Sequence, residues 1–175
     1  MMIIHCTKKL LKEIARPLTG IEDIPADDSG LGNWYADIFR FNRKKYFVFT
    51  NEQTLYTFFV YDIKKDDIES ITSLFKEKLA RYLKVIGIDD SIISQITADY
   101  KEIGFSRTDN STVEAAMNYF SKLFEARLEY IDEITEREII ISNLQVNTTP
   151  MGSLKYDDPL ERLKGRIAEK YSAVC

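Results

Sequence analysis

His5 is the only histidine among 175 residues, and Cys6 stands directly beside it. An imidazole titrates near neutrality, so His5 is the side chain best suited to general acid–base work without tuning. Lys8 and Lys9 follow within one helical turn. With a carboxylate such as Asp37 they make up the set on which a hydrolase or nucleic-acid-processing enzyme can be built. No carboxylate adjoins His5 in sequence, and the bland alternative, a buried histidine at the end of a short strand, is favoured. Metal chemistry is narrower still. A structural zinc site takes about four Cys or His ligands, and this chain holds only His5, Cys6 and Cys175. No metal site and no cofactor are expected, although carboxylate-bound Mg²⁺ or Ca²⁺ stays open without an Asp-x-Asp-x-Asp-Gly loop to support it. The two cysteines are read as free thiols.

A second chemistry is carried by cations. Arg40, Arg43, Lys44 and Lys45 cluster near Trp34, Tyr35 and Tyr46, and Lys8, Lys9 and Lys12 form a smaller group upstream. Cations with neighbouring aromatics are what phosphate contact and base stacking require. A solvated hairpin tip that keeps a sheet edge from aggregating is the competing explanation and the favoured one. Should the segment bearing Lys9 and Lys12 pack on the strands, the two groups merge into one face. The chain carries 24 Lys+Arg against 28 Asp+Glu, a net charge of −4. That charge is uneven: residues 1–61 hold 8 basic and 7 acidic side chains, residues 62–175 hold 16 and 21.

Several motifs are missing. With seven glycines the chain has no Gly-x-x-x-x-Gly-Lys-Ser/Thr, no Gly-x-Gly-x-x-Gly and no Gly-x-Ser-x-Gly, so P-loop, dinucleotide and nucleophile-elbow sites are unsupported. The carboxylate pairs Asp66/Asp67 and Asp89/Asp90 stand where helices start and favour the macrodipole; Asp27/Asp28 lies in a loop. Asn110 and Asn147 head glycosylation-type triplets, which matter only in a secretory pathway. No apolar run approaches the roughly 20 residues of a membrane span. The expectation is a cytoplasmic protein with no membrane partner.

The elements that position these residues follow from periodicity. Ile3–Cys6 reads as a strand, Thr7 as an N-cap, and Leu10, Leu11 and Ile14 as one helix face ended by Pro17. Residues 18–32 read as a loop. Three aromatic and β-branched runs, Trp34–Phe41, Lys45–Thr50 and Leu55–Tyr61, are separated by the turns 42–45 and 51–54, which predicts an antiparallel meander joined by the N-terminal strand. After Asp62 the spacing of three and four takes over. It predicts a helix from Asp66 to Ile86, a shorter one from Asp89 to Gly104, one opened by the capping-box spacing Ser111–Glu114, and a last one from Pro159. Residues 135–146 follow the same cue at Thr135–Glu138 and read as helix, against the β propensity of Ile139–Ile141. The fold expected is α+β in one domain: about four meander strands and a short helix in residues 1–61, then four to five helices in 62–175.

Several strings occur in order: Met2-Ile-Ile-His-Cys-Thr-Lys-Lys-Leu10, Leu31-Gly-Asn-Trp-Tyr-Ala36, Phe49-Thr-Asn-Glu-Gln-Thr-Leu-Tyr56, Thr108-Asp-Asn-Ser-Thr-Val113 leading to Ala116-Met-Asn118, and Asn147-Thr-Thr-Pro-Met-Gly152. The set resembles a family of uncharacterised bacterial proteins catalogued as a domain of unknown function. The resemblance spans nearly the whole chain, implies a bacterial origin and supplies no activity. It draws attention to Trp34, Asn51, Thr54, Asn118 and Thr149. Asn51 and Thr54 suit a hydrogen-bonded turn, Trp34 a core aromatic, while Asn118, mid-helix, asks for a specific partner.

With no catalytic constellation evident, the preferred function is a non-catalytic binding or regulatory module for a protein or nucleic-acid partner. Its candidate binding residues are Lys9, Trp34, Arg43, Lys44, Lys45, Asn51 and Asn118. The alternative is the enzyme built on His5, Lys8 and Asp37.

Overall fold

The computed structural model describes residues 1–24 and 30–171. Asp27/Asp28 and Cys175 lie outside them. Strand β1 (Met2–Cys6) leads into helix α1 (Lys8–Ile14), then β2 (Trp34–Phe41), β3 (Lys44–Asn51) and β4 (Thr57–Val60). Helices α2 (Lys65–Glu69), α3 (Ile71–Val85) and α4 (Asp90–Asp99) precede β5 (Ile103–Arg107), and α5 (Ser111–Leu128), α6 (Glu136–Asn147) and α7 (Pro159–Tyr171) follow. The five strands form one sheet in the order β4-β3-β2-β1-β5. The α+β class and the three meander strands are as the sequence predicts.

Two features correct that expectation. The N-terminal strand joins the meander in parallel, with Ile4 opposite Trp34. A fifth strand, β5, also parallel to β1, lies in the half expected to be helical. Ile103 and Gly104 had read as the end of the preceding helix because Ile96, Tyr100 and Ile103 keep its spacing. Gly104 instead sits inside β5 opposite Ile3, where an added Cβ would come within 2.8 Å of Ile3 Cδ1. Glycine there marks a close approach rather than a helix stop. The single helix expected from Asp66 to Ile86 is divided at Ser70 into α2 and α3, whereas residues 135–146 are helical, capped by Thr135 accepting from Glu138 N.

Strand alternation splits the core in two. On one face Ile4, Trp34, Ala36, Phe49 and Phe58 pack against α1, α3, α4 and α7; on the other Tyr35, Tyr46, Val48 and Phe59 pack against α5 and α6. Burial on both faces explains why neither face of Trp34–Phe41 is cleanly polar. The two-residue turn Asn42-Arg43, with φ of 46° and 67°, gives the twist a tight hairpin needs and puts Arg40 directly opposite Lys45.

The exposed edge of β4 is closed by α6. Asn147 accepts from Thr57 N at 2.8 Å and donates to Thr57 O at 2.6 Å, and Asn143 accepts from Phe59 N at 3.2 Å. Two buried side-chain amides thus satisfy an edge strand in place of a sixth strand. Asn147, the head of its triplet, is therefore a packing residue and fully buried, while Thr148 is exposed. Replacing Asn147 by Ala orphans both Thr57 backbone groups, and each buried orphan costs about 1–3 kcal/mol. Urea unfolding should show that loss for Asn147→Ala, while Asn118→Ala on the exposed face of α5 should stay within about 0.5 kcal/mol of the parent.

Candidate anion-binding groove and the strand-end cluster

Helix α1 follows β1 after a single residue, Thr7, whose hydroxyl accepts from Leu10 N at 3.4 Å and so caps the helix. The same hydroxyl donates to Asp37 Oδ1 on β2. Asp37 Oδ1 also accepts from Ile38 N at 2.8 Å, and its Oδ2 meets Lys9 Nζ at 3.3 Å. Asp37 is thus fully engaged in fastening the start of α1 to β2. With Leu10 and Ile14 turned into the core, the outer side of α1 faces the β2–β3 hairpin.

Between them lies a groove of about 420 Å³ lined by Lys9, Lys12, Glu13, Ile38, Phe39, Arg40 and Lys45. The two basic groups seen separately in the sequence meet here. Arg40 and Lys45 are cross-strand partners, an arrangement that like charges make unfavourable. Glu13 relieves one of them, standing 3.2 Å from Lys45 Nζ. Lys12 and Arg40 have no carboxylate partner among the described residues. The groove can therefore hold an anion, with Lys12 and Arg40 uncommitted and Lys9 and Lys45 each in one ion pair.

His5 occupies a different place. It points to the α5 face, 3% exposed, stacked on Tyr35 with ring centroids 4.7 Å apart. Its Nδ1 lies 3.1 Å from the Arg107 carbonyl oxygen, so a proton on that nitrogen is donated to β5, and 3.7 Å from Asp109 Oδ1. The Tyr35 hydroxyl donates to the same Asp109 oxygen at 2.5 Å. Burial, reinforced by Asp109, pushes the Tyr35 phenol well above its ordinary range and keeps it a donor. Opposite His5 on β5, the Ser106 hydroxyl is buried without a hydrogen-bond partner. This cluster ties the ends of β1, β2 and β5 to the loop before α5, and it is closed to solvent at His5 and Ser106.

The remaining sequence candidates scatter. Trp34 is fully buried; its indole N–H donates to Tyr100 Oη at 3.1 Å and its ring meets Phe58 and Phe75 edge-on. Asn51 is also fully buried; it accepts from Thr54 N at 2.9 Å and donates to Leu31 O at 2.8 Å, closing the β3–β4 turn. Asn118 and Lys8 are exposed. Arg43 is at the hairpin tip, and Lys44 pairs with Asp62 at 3.4 Å. Lys9 and Lys45 are brought together; His5, Trp34, Asn51 and Asn118 are not. Sequence reasoning missed the Tyr35–Asp109 bond, for which the only signal was an Asp beside Asn110, whose side chain accepts from Thr112 N and Val113 N to cap α5, and the position of Glu13 over Lys45.

Among the described residues no group of three His, Cys, Asp or Glu side chains can hold a metal ion, and no helix is long and apolar enough to cross a membrane. Cys6 is buried on the α1 face. Burial first, then Asp37, pushes its thiol up to about 12. The thiolate is the reactive form, so in a Cys175→Ser variant Cys6 should resist a thiol reagent at pH 8 and react fully once the chain is unfolded in urea.

The chain has no match among curated proteins. A family model described as a domain of unknown function, DUF6933, matches residues 3–162, and the protein belongs to that family.

Proposed function

We propose that the protein is a binding module for nucleic acid, contacting phosphates in the groove between α1 and the β2–β3 hairpin. The observation that carries this reading is the Arg40–Lys45 cross-strand pair facing Lys12. Repulsion between these groups weakens the hairpin, and a bound phosphate removes it. Lys9, whose side chain is 65% exposed while it holds the buried Asp37, and Lys45, paired with the partly exposed Glu13, stand beside them as further phosphate contacts. Arg43 and Lys44 at the tip lie one step further along the same hairpin.

The burial of His5 and the engagement of both Asp37 oxygens support this reading over a hydrolase built on His5, Lys8 and Asp37. Trp34, inside the core, gives neither a stacking platform nor a surface for a protein partner.

Fluorescence anisotropy with a labelled oligonucleotide at several salt concentrations tests the reading. Lys12→Ala and Arg40→Ala should each weaken binding and lower the slope of log K against log salt by about 0.7–0.9. The same Arg40→Ala change should leave the fold as stable or stabilise it by a few tenths of a kcal/mol, because it removes a like-charge pair. Affinity and slope unchanged in both variants would sink the proposal.

A further inference from the structure

The groove does not end at Lys45. A second cavity, of about 560 Å³, lies against α2 and shares Glu13 and Lys45 with the first. Its other walls include Lys64 and Lys65, over a floor of Ile63 and Ile68. The β4–α2 connection is held there by Ile63 N donating to Lys45 O at 2.9 Å. The Glu13–Lys45 ion pair is thus the ridge between two halves of one trough. Cations recur along its length: Lys9, Lys12 and Arg40 before the ridge, Lys45 on it, Lys64 and Lys65 beyond. Lys64 is held by Asp62 at 2.7 Å, whereas Lys65 has no carboxylate partner among the described residues.

We infer that this double trough binds single-stranded nucleic acid lengthwise, with Glu13 acting as a displaceable anion that holds Lys45 until a phosphate replaces it. The inference rests on the phosphate-contact reading above and adds the form of the ligand and its path. Lys45 decides the form. Its side chain is only 23% exposed and paired inside the trough, so the convex rod of a duplex meets the rim cations alone, while a flexible strand can follow the trough to Lys45. Ile38, Ile63 and Ile68 line the trough, and Phe39, the aromatic residue in its lining, has its ring stacked on Tyr46 and edge-on to Phe59 in the cluster on the opposite face of the sheet. Base stacking therefore adds little, and the electrostatic part of single-strand binding dominates.

The full chain is tested with labelled oligothymidylates of about four and about twelve nucleotides, within the range of single-strand site sizes. The longer strand should bind more tightly and with a steeper salt dependence. The Lys64→Ala/Lys65→Ala double variant should bring its affinity down towards that of the shorter strand and lower its salt slope by about 1.4, at ~0.7 per single-strand contact. The shorter strand's affinity should be nearly unchanged. Lys65→Glu, a change at an exposed residue with no ion pair to lose, should act in the same direction, and Glu13→Gln should tighten both strands.

Equal affinity for the two lengths, with Lys12→Ala still weakening both, overturns the double trough and leaves the single-groove reading standing. No binding of either length overturns both. A duplex that competes as well as the single strand at equal phosphate concentration overturns the assignment of strand form. A polyglutamate of matched charge that displaces the strand at equal concentration overturns the assignment to nucleic acid.

Discussion

Strand β1 is hydrogen-bonded in parallel to β2 on one side and to β5 on the other, and buried along its whole length. Most of the architecture follows from that placement. Parallel neighbours cannot be joined by a tight turn, so the chain must cross over the sheet to reach each of them. One crossover carries α1; the other, from the far edge at β4, carries α2, α3 and α4. These helices lie on the Trp34 face. The Tyr35 face is then left for α5 and α6, which follow β5. The ends of β1 and β5 come out at the same edge, and this brings Thr7, Arg107 and Asp109 close to one another.

That edge is where polar side chains replace apolar packing. Thr7 and Asp37 fasten α1 to β2, and Tyr35 and His5 fasten β1 and β2 to the loop before α5. These bonds are sheltered, with Asp37 and His5 nearly free of solvent, so losing one partner leaves the other unsatisfied. The consequence for the groove is geometric. A helix of only seven residues has little intrinsic stability, and its lysines can face the hairpin steadily only because Asp37, Leu10 and Ile14 fix its orientation.

Much of this was legible in the sequence and some of it was not. The Thr7 cap, the three meander runs and a turn within residues 42–45 were readable because each rests on local chemistry: a side-chain oxygen, β-branched and aromatic alternation, a short polar break. Strand β5 was not, because Ile96, Tyr100 and Ile103 fit a helix repeat until pairing with β1 overrides it. The direction of β1 was not either, since parallel and antiparallel strands carry the same short pattern. Asn143 looks like an ordinary helix polar residue and Asn147 like the head of a glycosylation-type triplet just past the helix expected over 135–146, and only the exposed edge of β4 gives them their role. For the groove, both basic groups were visible. Their meeting depended on α1 lying along β2, a tertiary contact that no spacing encodes.

The net charge of −4 is therefore a poor guide to what the surface does locally. Nucleic-acid binding is governed by the potential where contacts form, and distant charges are screened beyond about 10 Å at ordinary salt. Along the trough six cations meet Glu13 and Glu69 in the lining, with Asp37 and Asp62 paired to Lys9 and Lys64. Asp62, beside Lys44 and Lys64, has its carboxyl held below the ordinary range by the Lys64 hydrogen bond first and by both lysine charges, so it stays ionised and tempers that end. The acidic helices add a weak, long-range repulsion that grows as salt is lowered, opposite in sign to the attraction of the trough. An acidic chain with a basic trough should thus bind with a shallower salt dependence than its cation count implies. It also favours non-specific contacts at the trough, where these cations are gathered.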